Sequence, residues 1–233
     1  MKTVAEFLCN ISLFPLVLTL GAYQIGLWCQ KKTKSALCNP LLIAVVLCIS
    51  VILLTGFDPQ VYQTGTSYIS WLLTPATVCL AVPMYEHVQT LRSNMKAIVI
   101  GIAAVTVSSF VCIFVLCKLF RLDDVLTVSM FSKSITTAIA LELTKQGGGI
   151  PSLTSAAIVI SGILGNLSGS AFCKLLKITD PVAQGVGFGT ASHAIGTARA
   201  NEVHPITGAA SSLSLVIAGI LTAVLFPVML TLL

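Results

Sequence analysis

Long apolar runs separated by short polar stretches dominate this chain. A transmembrane helix needs about 20 consecutive, mostly apolar residues. Six stretches without Asp, Glu, Lys or Arg reach that length, and they are 7–30, 35–57, 59–85, 97–117, 146–173 and 205–233. Together they cover most of the 233 residues. The pattern predicts an all-α integral membrane protein with about six full transmembrane helices.

Two further segments are partly apolar but carry polar groups that would be costly in lipid. Residues 125–144 are interrupted by Lys133 inside a run of Ser and Thr, and residues 181–203 combine Gly, hydroxyl side chains, His193 and Arg199. Non-helical backbone at membrane depth is tolerated only where protein or a water-filled cavity satisfies its polar groups. We therefore predict two re-entrant or broken helical segments, although full crossings stay open. Such segments fit an inverted-repeat, transporter-like architecture.

The remaining gaps are too small for a soluble domain, so residues 1–233 are predicted to form a single polytopic membrane domain. Within it, residues 1–120 hold the first four spans, and residues 121–233 hold the two broken segments and two further spans. A faint similarity links 75–81 to 134–140. Chance resemblance between apolar segments explains that similarity equally well.

Basic residues predict the orientation, because Lys and Arg near short loops mark the cytoplasmic face. The lysines in 31–34 put the first loop inside and the N-terminus outside. The run 7–30 leads directly into these lysines and lacks a small-residue cleavage site, so we interpret it as a retained first span. The same rule favours segment 125–144 entering from outside and segment 181–203 entering from inside.

Composition argues against several other classes of protein. Only 9% of the residues are charged, against roughly 25% in soluble domains. The net charge of +5 is thinly scattered, and membrane topology explains it better than nucleic-acid binding. The eight cysteines include no CxxC pair, and no HExxH, GxSxG or phosphate-loop motif occurs. We predict no metal, no cofactor and no enzymatic activity, and we leave open coupling to H⁺ or Na⁺.

The two broken segments supply the groups that an anion-binding site needs. A lysine attracts an anion as a point charge, and hydroxyl and backbone N–H groups donate hydrogen bonds to a carboxylate. The predicted substrate-binding residues, which we expect to face a shared polar cavity, are Lys133, Ser134, Thr136, Thr137, Thr190, Ser192, His193 and Arg199. The glycines expected to allow close backbone approach are Gly187, Gly189 and Gly196.

Each of these residues also has a plainer interpretation. Lys133 could snorkel to the interface, and the Ser and Thr hydroxyls could bond their own helix backbone. Arg199 could form a rim ion pair with Glu202. His193 fits a proton carrier, because imidazole titrates near physiological pH, or a hydrogen-bonded structural histidine.

Local signals predict helix boundaries and close packing. The triple glycine 147–149 followed by Pro151 predicts that one helix stops and another starts. Asp180 before Pro181 is typical of an N-cap. The glycines at 162, 165 and 169 lie near one helical face, which favours close helix packing over a ligand role.

Several longer motifs are specific. They are Asn39-Pro40-Leu41-Leu42, Pro75-Ala76-Thr77-Val78, Ala81-Val82-Pro83-Met84-Tyr85, Lys133-Ser134-Ile135-Thr136-Thr137, Gly149-Ile150-Pro151, the run from Gly189 to Arg199, and Gly208-Ala209-Ala210-Ser211-Ser212-Leu213. On these motifs the chain resembles the LrgB/CidB family of bacterial membrane proteins from Asn39 onward. Similar proteins commonly have proline where this chain has Ser132 and Ala138, so the resemblance does not by itself enforce a helix break there.

The resemblance implies a bacterial inner-membrane location and two functional accounts. One is a holin- or antiholin-like system, in which a smaller LrgA/CidA-type membrane partner helps to regulate murein hydrolase export and lysis. The other is transport of small monocarboxylates of the pyruvate, glycolate or glycerate type. Fixed Gly, hydroxyl and cation clusters at membrane depth favour the carrier. Many carriers dimerise through rigid helices, which leaves a homo-oligomer open for this chain.

Overall fold

The computed structural model describes residues 13–33 and 40–233. Within these ranges the chain is almost entirely helical and contains no β-strand. The described residues form two compact units, one within residues 1–79 and the other comprising residues 80–233. The all-α membrane fold is confirmed. The single polytopic domain and its subdivision at residue 120 stay predictions. Lys34 and Asn39, used above for orientation and resemblance, lie outside the described residues.

The first unit is built around two apolar helices. Ala22, Ala44 and Cys48 form a small buried cluster between them, and Gly26 lies so close to Pro40 that a Cβ would come within 2.6 Å of the Pro40 carbonyl oxygen. The helices of this unit are α1 (Phe14–Thr33), α2 (Pro40–Thr55), α3 (Pro59–Gly65), α4 (Ser67–Trp71) and α5 (Leu73–Cys79).

The apolar stretch 59–85 is not one continuous helix. It is divided into α3, α4, α5 and, in the second unit, α6 (Ala81–Glu86). A proline inside a helix cannot donate a hydrogen bond to the carbonyl four residues earlier. In a continuous helix the N–H groups at positions 75 and 83 would bond the carbonyls of Trp71 and Cys79, but proline has no N–H. Helix α4 ends at Trp71, and α5 ends at Cys79.

The second unit contains the long helices and both broken segments. Three of its helices, α8, α11 and α13, are long and apolar enough to cross a membrane. A multi-pass membrane protein is thereby confirmed. The helices that follow α6 are α7 (Val88–Ser93), α8 (Met95–Leu119), α9 (Asp124–Phe131), α10 (Thr137–Gln146), α11 (Pro151–Leu175), α12 (Pro181–Val203) and α13 (Pro205–Leu230).

Residues 124–146 form a helical hairpin, which we call hairpin 1. Helices α9 and α10 are its arms, and residues 132–136 are its non-helical tip. Ser132 Oγ lies 3.0 Å from Thr144 Oγ1, so the last turn of α10 returns to the end of α9. The arms are only 8 and 10 residues long, which corresponds to roughly 12 and 15 Å at 1.5 Å per residue. Neither arm spans the hydrocarbon core of about 30 Å.

Helix α12 is a second helical hairpin, hairpin 2, because its backbone reverses at His193 (φ 42°, ψ −136°). A Cβ on Gly196 would lie 2.6 Å from the Phe188 carbonyl oxygen. In a continuous helix, residues eight apart would be separated by roughly 12 Å. Gly185 on the first arm and Asn201 on the second lie against the same end of α13, at Thr207 and Gly208.

The two hairpins approach α13 from opposite ends. Hairpin 1 contacts the later part of α13, with Gly147 against Phe226 and Ile139 against Gly219, whereas hairpin 2 contacts its beginning. Both predicted segments are therefore re-entrant, and they enter from opposite sides as the basic residues indicated. The assignment of those sides to the cell interior and exterior stays a prediction.

The second unit also contains an inverted internal repeat. Helices α8 and α11 are both 25 residues long, and each is followed by a hairpin. The connecting loops match: Arg121 and Lys177 have φ values of 52° and 55°, and the next N–H groups bond Cys117 O and Cys173 O at 2.9 and 2.8 Å.

Asp123 and Asp180 then cap the hairpins through Leu126 N and Ala183 N. The C-terminus of α8 lies beside that of α13, since Lys118 Nζ is 3.4 Å from Leu233 O. The C-terminal half of α11 instead lies along the first arm of hairpin 2, with Gly169 against Phe188. Helices α8 and α11 therefore run in opposite directions. The predicted inverted repeat is present, but it relates 95–146 to 151–203 rather than 75–81 to 134–140.

Candidate functional site

A cavity of about 150 Å³ lies where the tips of the two hairpins meet. Both tips lie level with the middle of α13, and the middle of α8 closes the remaining wall. The lining residues are Val105, Thr106, Ser109, Phe110, Phe131, Lys133, Ser134, Ile135, Thr190, Ala191, Ala218 and Thr222.

Lys133 brings a positive charge to this cavity. Its ammonium lies 3.3 Å from Ser134 Oγ. Among the described residues, no carboxylate lies within 4.0 Å of it, because the ion pairs found there are Lys118–Asp124 and Arg199–Glu202. Phe110, Phe131 and Ile135 line the same cavity. A cation in such surroundings attracts an anion strongly, and a position at a hairpin tip does not fit snorkelling to the interface.

Hydroxyl groups hold the tip of hairpin 1 in place. Thr144 Oγ1 lies 3.0 Å from both Ser132 Oγ and Thr154 Oγ1. Thr154 Oγ1 also donates to Ser129 O at 2.8 Å, so α9, α10 and α11 are joined. This network holds the helix break at residues 132–136 in place.

His193 fixes the tip of hairpin 2. Its Nε2 is 2.9 Å from the carbonyl oxygen of Ile158 on α11, and a carbonyl only accepts, so Nε2 carries the hydrogen. Ser161, one turn further along α11, donates to Lys133 O at 3.0 Å. One turn of α11 is therefore bonded to both tips.

The glycine face of α11 packs closely against hairpin 2. A Cβ on Gly165 would overlap Ser192 Oγ, and one on Gly162 would lie 2.8 Å from the His193 ring. Gly169 makes a similar contact with Phe188. These contacts agree with the close helix packing that the sequence favoured for the three glycines. Ser192 and His193 consequently face α11 and do not line the cavity.

The cavity contains only some of the predicted site residues. Lys133, Ser134 and Thr190 line it. Thr136 is the N-cap of α10 and Thr137 its first helical residue, and neither lines the cavity. Arg199 forms the ion pair with Glu202, with 2.7 Å between Nη1 and Oε2, and it too lies outside the lining.

The three glycines of hairpin 2 also differ. A Cβ on Gly189 would overlap the carbonyl oxygen of Ser211, and Gly196 packs against Phe188. Gly187 has open space around it. Close backbone contact within the protein thus occurs at Gly189 and Gly196.

Sequence reasoning missed three hydroxyl residues of the cavity. Thr106 and Ser109 belong to α8, and Thr222 belongs to α13. Both helices were predicted as ordinary spans, in which Ser and Thr commonly bond their own backbone. The only sequence signal was the inclusion of hydroxyl residues near the middle of these apolar spans.

Comparison with known proteins identifies the family. The profile of the LrgB-like family matches residues 19–232. This chain belongs to the LrgB-like family. It is 34% identical over 216 residues to the antiholin-like protein LrgB of Bacillus subtilis (strain 168), which covers 92% of this chain and 94% of that protein. No solved structure matches the chain.

Two further relatives support the same family assignment. The antiholin-like protein LrgB of Bacillus cereus (strain B4264) and that of Bacillus anthracis (strain CDC 684 / NRRL 3495) are each 34% identical over 215 residues, which cover 92% of this chain and 94% of theirs. The resemblance predicted from the motifs is confirmed. These names describe antiholin-like proteins and not enzymes, while the absence of enzymatic activity stays a prediction.

Proposed function

We propose that this LrgB-like protein is a carrier, or a carrier subunit, for small organic anions. The observation that supports the proposal is the ammonium of Lys133 in a cavity between two re-entrant tips, without a carboxylate within 4.0 Å among the described residues. At an effective dielectric constant of about 20, two opposite charges 4 Å apart attract by about 4 kcal/mol. A bound carboxylate would supply the missing counter-charge.

Other features support an anion as the occupant. Helix α10 begins immediately after the tip, and its N-cap Thr136 makes no side-chain bond to the first-turn amides. Those amides and the helix dipole favour negative charge nearby. A single lysine matches a monoanion such as pyruvate, glycolate or glycerate. The inverted repeat suits alternating access, in which one hairpin opens at a time.

Uptake into proteoliposomes tests the proposal. We expect purified protein to take up labelled pyruvate or glycolate with saturation, and Lys133→Gln to lower the uptake efficiency at least about tenfold, since removal of one charged hydrogen-bonding group costs about 1.5–3 kcal/mol. Lys145→Gln is the matched control, because this exposed lysine lies on α10, away from the cavity. Equal uptake by wild type and Lys133→Gln would refute the proposed site.

The relatives' names support a second candidate function. Proteins named antiholin-like suggest a role in regulating murein hydrolase export, together with a smaller LrgA/CidA-type partner. The same vesicles distinguish the two functions. Leakage of unrelated dyes without saturable uptake would favour the holin-like account, and retention of dyes with saturable uptake would favour the carrier. Repeating both measurements with the co-purified smaller protein shows whether that partner is needed.

A further inference from the structure

Three hydroxyl side chains in the cavity have no hydrogen-bond partner among the described residues. They are Thr106 and Ser109 on α8 and Thr222 on α13. Thr106 is 7% exposed and Thr222 is 4% exposed, and Ser109 is half-buried. All three residues line the cavity, so an occupant of the cavity can supply the hydrogen bonds that the protein does not.

Neighbouring hydroxyls behave differently. Ser108, adjacent to Ser109, donates to Val105 O at 3.0 Å. Thr190 and Ser214 donate to the carbonyls of Val186 and Ala210, one turn earlier, at 2.6 and 2.7 Å. Back-bonding of this kind satisfies a hydroxyl inside a helix. The hydroxyls of Thr106, Ser109 and Thr222 differ from these neighbours, because they line the cavity without a hydrogen-bond partner among the described residues.

The charges around the cavity restrict what these hydroxyls can bind. No carboxylate among the described residues lines the cavity, and Lys133 does, so a cation such as Na⁺ would be repelled. If the carboxylate of an anion pairs with Lys133 and Ser134, the hydroxyls of α8 and α13 can hydrogen-bond the uncharged oxygen atoms of that anion. The small volume of about 150 Å³ lies below the 300–1,000 Å³ of typical drug-sized pockets, which favours an acid of few atoms.

We propose that Thr106, Ser109 and Thr222 form a specificity subsite that recognises the 2-hydroxy or 2-oxo oxygen of a short monocarboxylate. The inference rests on the proposed carrier function, and it assigns a role to residues outside the two hairpins. A site that hydrogen-bonds a substrate oxygen discriminates strongly against the analogue lacking it, because the protein groups are then left unpaired. Acids without a 2-oxygen should therefore be poor substrates.

The test compares pairs of acids that differ by one oxygen. Uptake efficiency in proteoliposomes is measured for glycolate against acetate and for lactate against propionate. We expect wild type to prefer the oxygenated acid of each pair, and Thr106→Val, Ser109→Ala and Thr222→Val each to reduce that preference by about 3- to 10-fold. The low uptake of acetate and propionate should stay at its wild-type level in each variant, which shows that each variant is folded.

Matched controls remove hydroxyls that are already satisfied within the protein. Ser108→Ala controls Ser109→Ala on the same helix, and Thr231→Val controls the threonine variants because Thr231 donates to Val228 O. Both should retain the wild-type preference. An unchanged preference in all three cavity variants, with uptake intact, would overturn the subsite and leave the carrier standing. Absence of saturable uptake of every acid by wild type would instead refute the carrier function and the subsite with it.

Discussion

His193 shows most clearly how a single residue shapes this protein. Its backbone lies at a positive φ of 42°, a conformation that favours glycine, and such residues cost about 1–3 kcal/mol each. The ring compensates by donating to Ile158 O and by packing against Gly162. Of the two roles considered from the sequence, hydrogen-bonded support is the one this geometry favours.

Substitution of His193 should therefore reverse the usual preference for alanine over glycine in helices. Both His193→Gly and His193→Ala lose the bond to Ile158, but glycine relaxes the backbone strain. We expect the glycine variant to be more stable than the alanine variant by about 1–2 kcal/mol, measured as apparent unfolding midpoints in detergent. An alanine variant at least as stable as the glycine variant would contradict the strained reversal.

Site residues were predictable where their type is unusual in a membrane. Lys133, with Ser134 beside it, stood out in an apolar segment, and the glycine and hydroxyl content of 181–203 pointed to Thr190. Thr106, Ser109 and Thr222 did not stand out, because the sequence does not say whether a hydroxyl bonds its own helix or faces a cavity.

At the scale of elements, local chemistry predicted the helix breaks more reliably than the count of apolar residues predicted the helix lengths. Both hairpins were expected from polar residues at membrane depth, and hydroxyl bonds of Thr144 and Thr154 join the arms of hairpin 1 to α11. The stretch 59–85 was expected as one span, because counting apolar residues ignores the hydrogen bonds that Pro75 and Pro83 cannot make.

The contact between α11 and hairpin 2 predicts a sharp difference between two glycines. Gly165→Ala would place a Cβ within 2.7 Å of Ser192 Cβ, whereas a Cβ on Gly101 of α8 would be 3.7 Å from its nearest neighbour, Val186. We expect Gly165→Ala to destabilise the protein by about 1–3 kcal/mol and Gly101→Ala to be neutral or slightly stabilising. Thermal unfolding in detergent measures both, and equal midpoints would argue against close packing at Gly165.

At the scale of the whole molecule, the second unit is two inverted copies of a long helix followed by a re-entrant hairpin, with α13 packed against both hairpins. The sequence contained a trace of this repeat in Cys117-Lys118-Leu119 and Cys173-Lys174-Leu175, 56 residues apart. That trace is short, since only the connecting loop needs the same backbone geometry. The tips differ because one carries the lysine and the other the strained histidine.

The architecture predicts which loops share a side of the membrane. Asp124 begins hairpin 1 and Lys177 precedes hairpin 2 at the opposite end of the unit, and both are exposed. In a cysteine-free chain, we expect Asp124→Cys to react with an impermeant thiol reagent from outside and Lys177→Cys only from inside. Labelling of both from one side would rule out the inverted arrangement, and exchanged sides would reverse the orientation alone.

The unequal tips have a consequence for how an occupant would leave. In the proposed carrier, opening hairpin 1 would displace the ammonium of Lys133 together with the hairpin, so an anion departing that way would be held less firmly. Opening hairpin 2 leaves the ammonium where it was, and an anion departing on that side must break the pairing. A carrier with this asymmetry binds its cargo with different strength at its two openings, and it therefore loads more readily from the side that hairpin 2 guards.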